Sequence, residues 1–317
     1  MSVVRILQPP PISIILTRKR LRQAAFCLVL IVFSGYFNEK RFLPRQITQV
    51  LHCGVLVEIL LKFVHMINPS EKSTSVDLAY ADSSLAEIYD YLNSWGASDE
   101  FYLRLAVNSD SVLDVGCGTG LLLHRARDAG HRGVLCGVDP GLGMIHQAQK
   151  RTDITWILGD LESAPLTQKF DLILMTGHVF QVFGDDASAM ATLKAAANVM
   201  ADGGKLAFET RNPINQPWKK WNQEQTINVP GWTESVHIKR EASQKLVDNV
   251  IRLTETFRSS NWDEPKVSRS ELRFFEVQKL ERLLIGAGLA VEQQYGDWSM
   301  NRLSDDSPEI ITVARKA

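Results

Sequence analysis

The chain has 317 residues, of which 45% are hydrophobic and 22% charged, with a formal net charge of −1. That profile belongs to ordinary globular proteins and excludes collagen, a coiled coil and wholesale disorder. The near-zero sum conceals two unlike parts, because residues 1–72 hold 10 basic and 3 acidic side chains while residues 73–317 hold 25 and 33. The acidic larger part argues against a nucleic-acid substrate, whose phosphates need clustered Lys and Arg.

Residues 1–72 read as a basic, apolar extension. Arg18, Lys19, Arg20 and Arg22 precede an apolar run over 24–33, as in a secretory signal, but Ser34-Gly35-Tyr36-Phe37 follows in place of a small-x-small cleavage site. The run is shorter than the roughly 20 residues that a bilayer span takes. A second run over 50–67 is long enough, yet it carries His52, Glu58, Lys62 and His65, which lipid disfavours. A membrane anchor, an interfacial helix pair, upstream sequence translated ahead of a true start at Met66, and a soluble helical appendage are the open readings. Membrane contact through residues 18–67 is expected only under the first two. The four cysteines, Cys27, Cys53, Cys117 and Cys136, form no C-x-x-C pair and have no His at ligand spacing, so reduced thiols and no metal site are expected.

From residue 79 a regular pattern begins. Leu85, Ile88, Tyr89 and Leu92 recur at helical spacing, Ser94-Trp95-Gly96 breaks the run, and Ser98-Asp99-Glu100 opens another helix. Strands are predicted over 111–115, 134–138, 154–158, 170–175 and 205–209, with helices over 121–129, 142–150 and 186–200 between them. Such alternation implies parallel strands joined by right-handed crossovers. Over 225–275 the rhythm changes to four strand-like runs, 226–229, 234–241, 247–257 and 268–275, with no clear helix. A helix over 276–286 stops at Gly286-Ala287-Gly288, and strands over 289–295 and 310–314 close the chain. The expected fold class is α/β. Residues 73–317 are expected to form one domain with an antiparallel β meander inserted at about 220–275.

The strongest chemical signal is VLDVGCGTG at 112–120, a strand that runs through Asp114 into Gly116, Gly118 and Gly120 and then into a helix. Glycines there let the backbone turn sharply and let a ligand touch the main chain. A dinucleotide loop counted from Gly116 needs Gly or Ala where Leu121 stands, and Asp114 would repel a pyrophosphate. Asp139 ends the second strand, where a carboxylate can accept ribose hydroxyls, and Asp160-Leu161 follows the third, where an adenine amino group can be met. Any one of these acids alone reads as a helix cap or turn residue. Three on successive strand ends mark the ligand-binding edge of an open α/β sheet.

These segments, VLDVGCGTG, VDP at 138–140 and GDLE at 159–162, resemble the motifs of class I S-adenosylmethionine-dependent methyltransferases. FDLILMTGHVFQVF at 170–183, FETRNP at 208–213, YGDW at 295–298 and SPEIITVARK at 307–316 extend the resemblance to bacterial members acting on small molecules. It covers residues 79–317 and leaves residues 1–72 without a counterpart. It implies a Rossmann-like seven-stranded sheet with an antiparallel final hairpin. It also implies a cytoplasmic enzyme with S-adenosyl-L-methionine as cofactor and a small-molecule acceptor, with no nucleic acid. Asp114, Gly116, Gly118, Asp139, Asp160 and Leu161 are its implied cofactor residues, and Gly120 and Thr176 join them by position.

Methyl transfer is an in-line displacement that positioning can accelerate without a metal or a covalent nucleophile. His178, after the fourth strand, is the candidate base because its ordinary pKa is near neutrality, though a loop histidine can equally just pack. Arg211 would clamp a substrate carboxylate or pair with Glu209, and Tyr89 would close over the cofactor or sit in the core. The insert would wall or lid the acceptor, with Trp232, His237, Arg252 and Trp262 as unranked contributors. Asp297 and Trp298 could reach the same pocket, with a structural role favoured for Trp298. The fourth strand is not followed by a base-gripping Asn/Asp-Pro-Pro-aromatic motif. A protein substrate, a nicotinamide-dependent oxidoreductase and a non-catalytic cofactor-binding module stay open as alternatives. So does a lipid-like acceptor should the extension meet a membrane.

Overall fold

The computed structural model describes residues 76–317. The expectations placed on residues 1–72, membrane contact among them, lie outside the described residues. No helix of the described residues is long and apolar enough to cross a membrane.

The described chain opens with a short helix α1 (Leu78–Ala81), then α2 (Ser83–Leu92) and α3 (Ala97–Val107). The Asp82 carboxylate starts α2 by accepting from the N–H groups of Ser84 and Leu85 at 2.9 and 3.0 Å. Strands and helices then alternate: β1 (Ser111–Val115), α4 (Leu121–Asp128), β2 (Val134–Asp139), α5 (Leu142–Ala148), β3 (Thr155–Leu158), β4 (Phe170–Met175), α6 (Asp186–Val199) and β5 (Met200–Arg211). Four strands follow, β6 (Gln223–Ile227), β7 (Val236–Ala242), β8 (Val250–Arg258) and β9 (Lys266–Arg273). The chain closes with α7 (Val277–Gly286), β10 (Leu289–Tyr295) and β11 (Glu309–Lys316).

The main sheet has seven strands in the order β10-β11-β5-β4-β1-β2-β3. β1 pairs in parallel with both β2 and β4, and the order reverses outward from it. β11 runs antiparallel to both β5 and β10, the final hairpin that the resemblance implied. The central strands bury both faces: in β4 only Asp171 is exposed, and Phe170, Leu172, Ile173, Leu174 and Met175 fill the two cores.

One strand differs from its predicted extent. β5 spans 200–211 rather than 205–209, because Met200 already pairs with Phe170 before a bulge at Asp202-Gly203-Gly204 carries the register to Lys205 opposite Leu172. Gly203, at φ +77°, makes that bulge affordable.

The predicted meander is a separate four-stranded antiparallel sheet in the order β6-β7-β8-β9. Val236, Ile238 and Phe257 of its inner face pack on Leu85 and Ile88 of α2. Polar bonds reinforce that packing. Ser268 Oγ accepts from the Ala79 N–H at 3.0 Å, Ser270 Oγ donates to Asp77 at 2.5 Å, and Lys266 pairs with Asp82 at 2.5 Å. The α1–α2 segment is thereby clasped to the inserted sheet.

Candidate functional site

The site lies along the carboxyl ends of β1, β2, β3 and β4, the edge where a sheet whose order reverses leaves a crevice. The glycine loop after β1 is tied to β2, with the N–H groups of Gly116 and Cys117 both donating to the Val138 carbonyl at 2.7 and 3.1 Å. Gly116 sits at φ +74°, and a Cβ there would meet Val179 at 2.4 Å. Gly120 forms the N-terminal cap position of α4. Thr119 Oγ1 donates to Asp90 Oδ1 at 2.7 Å and so fastens the loop to α2.

Asp139 turns its carboxylate back onto this loop. Its oxygens accept from the N–H groups of Gly118 at 2.8 Å and Gly141 at 2.7 Å. Burial raises its pKa and the two N–H groups oppose that rise. Asp160 and Leu161 follow β3: Leu161 is buried in the main core, and partial desolvation with the charge of Glu162 raises the exposed Asp160. Thr176 follows β4 and accepts from the Val179 N–H through its carbonyl. Asp114, Gly116, Gly118, Asp139, Asp160, Leu161 and Thr176 all line one cleft of about 480 Å³.

Two observations fit this cleft to a cationic ligand. Asp114 is 1% exposed, and neither of its carboxylate oxygens has a hydrogen-bond partner among the described residues. Burial, then the charges of Asp139 and Glu209, push its pKa up to about 8. A bound cation would meet that unmet acceptor. Gly118 lies at φ +54° with no heavy atom within 4 Å of where its Cβ would stand, so the space over the loop is open to a ligand. The residues therefore fit S-adenosylmethionine.

A second cavity of about 190 Å³ adjoins the cleft and reaches the inserted sheet. His178, Arg211, Tyr80 and Tyr89 line both spaces. Tyr89 stands edge-on to Tyr80 with 6.1 Å between ring centres, and burial pushes its phenol up to about 12.

His178 adopts φ +63°, rare for a residue with a Cβ. Its backbone N–H donates to Glu209 Oε1 at 2.7 Å, and its Nε2 lies 3.1 Å from Glu309 Oε2. Glu209 also accepts from the Tyr102 hydroxyl. Burial, with the nearby charge of Arg211, pulls the imidazole down to about 3, so it is neutral at pH 7. Burial raises Glu309 to about 7 against the opposing charge of Arg211. The pair thus has one group that resists a proton and one that readily shares it.

Arg211 makes no ion pair with Glu209, which removes one of its two predicted roles. Its Nη1 and its backbone N–H both donate to Gln181 Oε1, at 3.0 and 3.3 Å, and its guanidinium stacks 5.0 Å from the centre of the Trp221 ring. Burial lowers its pKa, opposed by Glu309 and Glu209.

The four contributors predicted from the insert lie away from both cavities. Trp232 and Trp262 pack edge-to-face on one another at 5.7 Å, His237 bonds to Thr226, and Arg252 pairs with Glu271 in solvent. The insert lines the second cavity instead through Gln223, Arg240, Leu253, Glu255 and Phe257, with Arg240 paired to Glu255 at 2.6 Å. Asp297 caps its own turn through Ser299 and Asn301, and Trp298 packs on Phe101 and Tyr102, the structural role predicted for it. Tyr80 and Glu309 escaped sequence reasoning, whereas Gln181 was among its candidates after the fourth strand, with Thr176, His178 and Phe180. Glu209 was named there only as a neighbour of Arg211.

Residues 112–204 match the sequence model of a methyltransferase domain. A malonyl-[acyl-carrier protein] O-methyltransferase of Anoxybacillus flavithermus is 34% identical over 110 residues, covering 34% of this chain and 41% of that protein. The chain thus spans less than half the length of this curated relative. Among solved structures, an S-adenosylmethionine-dependent methyltransferase from Clostridium acetobutylicum superposes with TM-score 0.61 at 18% identity, covering 74% of this chain and 98% of its own. An amino pentose methyltransferase from Micromonospora echinaspora, solved with S-adenosylmethionine bound, gives 0.53 at 19% identity over 73% and 97%. At such identities the likeness is one of fold. The matching domain, with the glycine loop, the sheet order and the unmet carboxylate of Asp114, supports a class I S-adenosylmethionine-dependent methyltransferase family for residues 112–204.

Proposed function

We propose that this protein transfers the methyl group of S-adenosylmethionine to a small-molecule acceptor held in the cavity beside the inserted sheet. The observation that carries the reading is the pair of adjoining spaces. One is bounded by the unmet Asp114 and the open loop at Gly118, and the other by His178 and the insert. The relatives support it, since the one is named for malonyl-acyl-carrier protein and the other for an amino pentose. The reading takes residues 73–317 as one catalytic domain.

When bound, S-adenosylmethionine supplies a methyl on a sulfonium, whose displacement leaves a neutral thioether. Asp114 would face its ammonium, Asp139 its ribose, and Asp160 with Leu161 its adenine. Tyr89 and Tyr80, at the junction of the spaces, would exclude water and aim the acceptor.

A protonated acceptor must lose its proton as the new bond forms. His178 is neutral and would donate Nε2–H to Glu309, leaving Nδ1 to accept. A proton taken at Nδ1 is matched by one released from Nε2, and Glu309 is the group whose pKa suits keeping it. His178 is the catalytic base in this account and Glu309 its proton store.

Calorimetric titration of S-adenosylmethionine and of NADH into the full chain, with Asp139→Ala beside it, tests the reading. Micromolar binding of the sulfonium alone, weakened in the variant, is expected. Binding of NADH alone, or of neither, overturns the reading.

A further inference from the structure

We propose that the acceptor carries a carboxylate and that Arg211 binds it in the cavity of about 190 Å³. The proposal rests on the methyltransferase reading and narrows its substrate.

Two guanidinium groups line this cavity, and only one is matched by a charge. Arg240 is held by Glu255 at 2.6 Å. Arg211 ends β5 and reaches both spaces, and among the described residues no carboxylate forms an ion pair with it. Of its five N–H donors, one is used by protein, and that one meets the neutral amide of Gln181. The nearby acids are engaged elsewhere: Glu209 by Tyr102 and the His178 N–H, and Glu309 by the His178 ring.

Arg211 feels the charges of Glu309 and Glu209 but is bonded to neither, so its enclosed donors are left for the oxygens of a ligand. Gln181 and the Trp221 ring hold the guanidinium plane in place, so its remaining fork is arranged before anything binds. A fixed fork of parallel N–H groups matches the two oxygens of a carboxylate. One unmatched guanidinium close to two glutamates suits a monoanion better than a phosphate dianion. Leu253, Phe257 and Leu272 line the same cavity and suit an apolar body on the acid.

The test uses the full chain saturated with S-adenosylhomocysteine and reads binding by calorimetry. The probes are propionate and benzoate, their neutral amides propionamide and benzamide, and inorganic phosphate. At least one acid is expected to bind about tenfold or more tightly than its amide. Arg211→Gln should remove that preference, and Arg211→Lys should fall between the two. Equal affinity for acid and amide, no binding of any acid, stronger binding of phosphate than of both acids, or an unchanged preference in Arg211→Gln overturns the proposal. The acid–amide comparison on the unmodified protein decides the matter even if a variant misfolds. Failure of S-adenosylhomocysteine to bind at all would instead bring down the methyltransferase reading, and this proposal with it.

Discussion

Glu309 on β11 stands directly opposite Arg211 on β5 in the antiparallel register, yet the two do not pair. Glu309 turns to His178 and Arg211 turns to Gln181 and Trp221. That divergence keeps one carboxyl near the middle of the pH scale and one guanidinium available to the cavity.

The first consequence is a pH profile. Glu309 titrates at about 7 and must be ionised to take a proton, so kcat/KM should rise from pH 6 to pH 8 with its midpoint near 7. Glu309→Gln should lose that limb and at least about tenfold in kcat while leaving cofactor affinity alone. An unchanged profile in the variant would remove Glu309 from the proton path.

Asp114 gives a stability prediction of definite sign. Its folded pKa of about 8 lies above that of an unfolded aspartate, so between roughly pH 4 and pH 8 the native state holds a proton that the unfolded chain has lost. The cofactor-free protein should therefore lose stability as pH rises through that window. Asp114→Asn should raise its Tm at pH 8 but not at pH 4, and should weaken S-adenosylmethionine binding. Thermal melts at the two pH values, with calorimetry, check both halves.

Gly118 separates folding from binding. Gly118→Ala places a methyl at φ +54° in open space, which costs about 1 kcal/mol in backbone strain and meets no protein atom. The variant should fold, with cofactor affinity reduced more than about tenfold by the intruding methyl. Circular dichroism with ligand titration would show whether the two effects part as expected.

The clasp between α1–α2 and the inserted sheet is polar at Lys266 and Ser270. Lys266→Ala with Ser270→Ala should speed hydrogen exchange in residues 78–92 and raise the KM for both substrates several-fold, because Tyr80 and Tyr89 ride on that segment. The partly exposed ion pair itself contributes no more than about 1 kcal/mol, so Tm should move little. A large fall in Tm with unchanged KM would make the clasp a structural fastening only.

The α/β frame was legible because its signals are local. β1, β4 and β10 span the residues predicted for them, and the glycine loop declares itself by spacing. β5 ran longer than predicted because Asp202-Gly203-Gly204 looks like a turn and is a bulge. The proton-handling pair was not legible: His178 and Glu309 are 131 residues apart and meet only through the register of β11 on β5. The same holds for Arg240 and Glu255, which face each other only once β7 and β8 pair. Trp232 and Trp262 misled because large aromatics signal burial without saying against what, and here they bury against each other.

The inserted sheet has packing of its own, with Ile251, Phe274 and Trp218 in one cluster and Val236, Ile238 and Phe257 in another, apart from the cores around β1 and β4. On the proposed function, one wall of the acceptor space is thereby built on a sheet that meets the donor cleft through α1 and α2. An exchange of the strands between β5 and α7 with those of a relative would have to carry α1 and α2 along with them for the cleft to keep its shape.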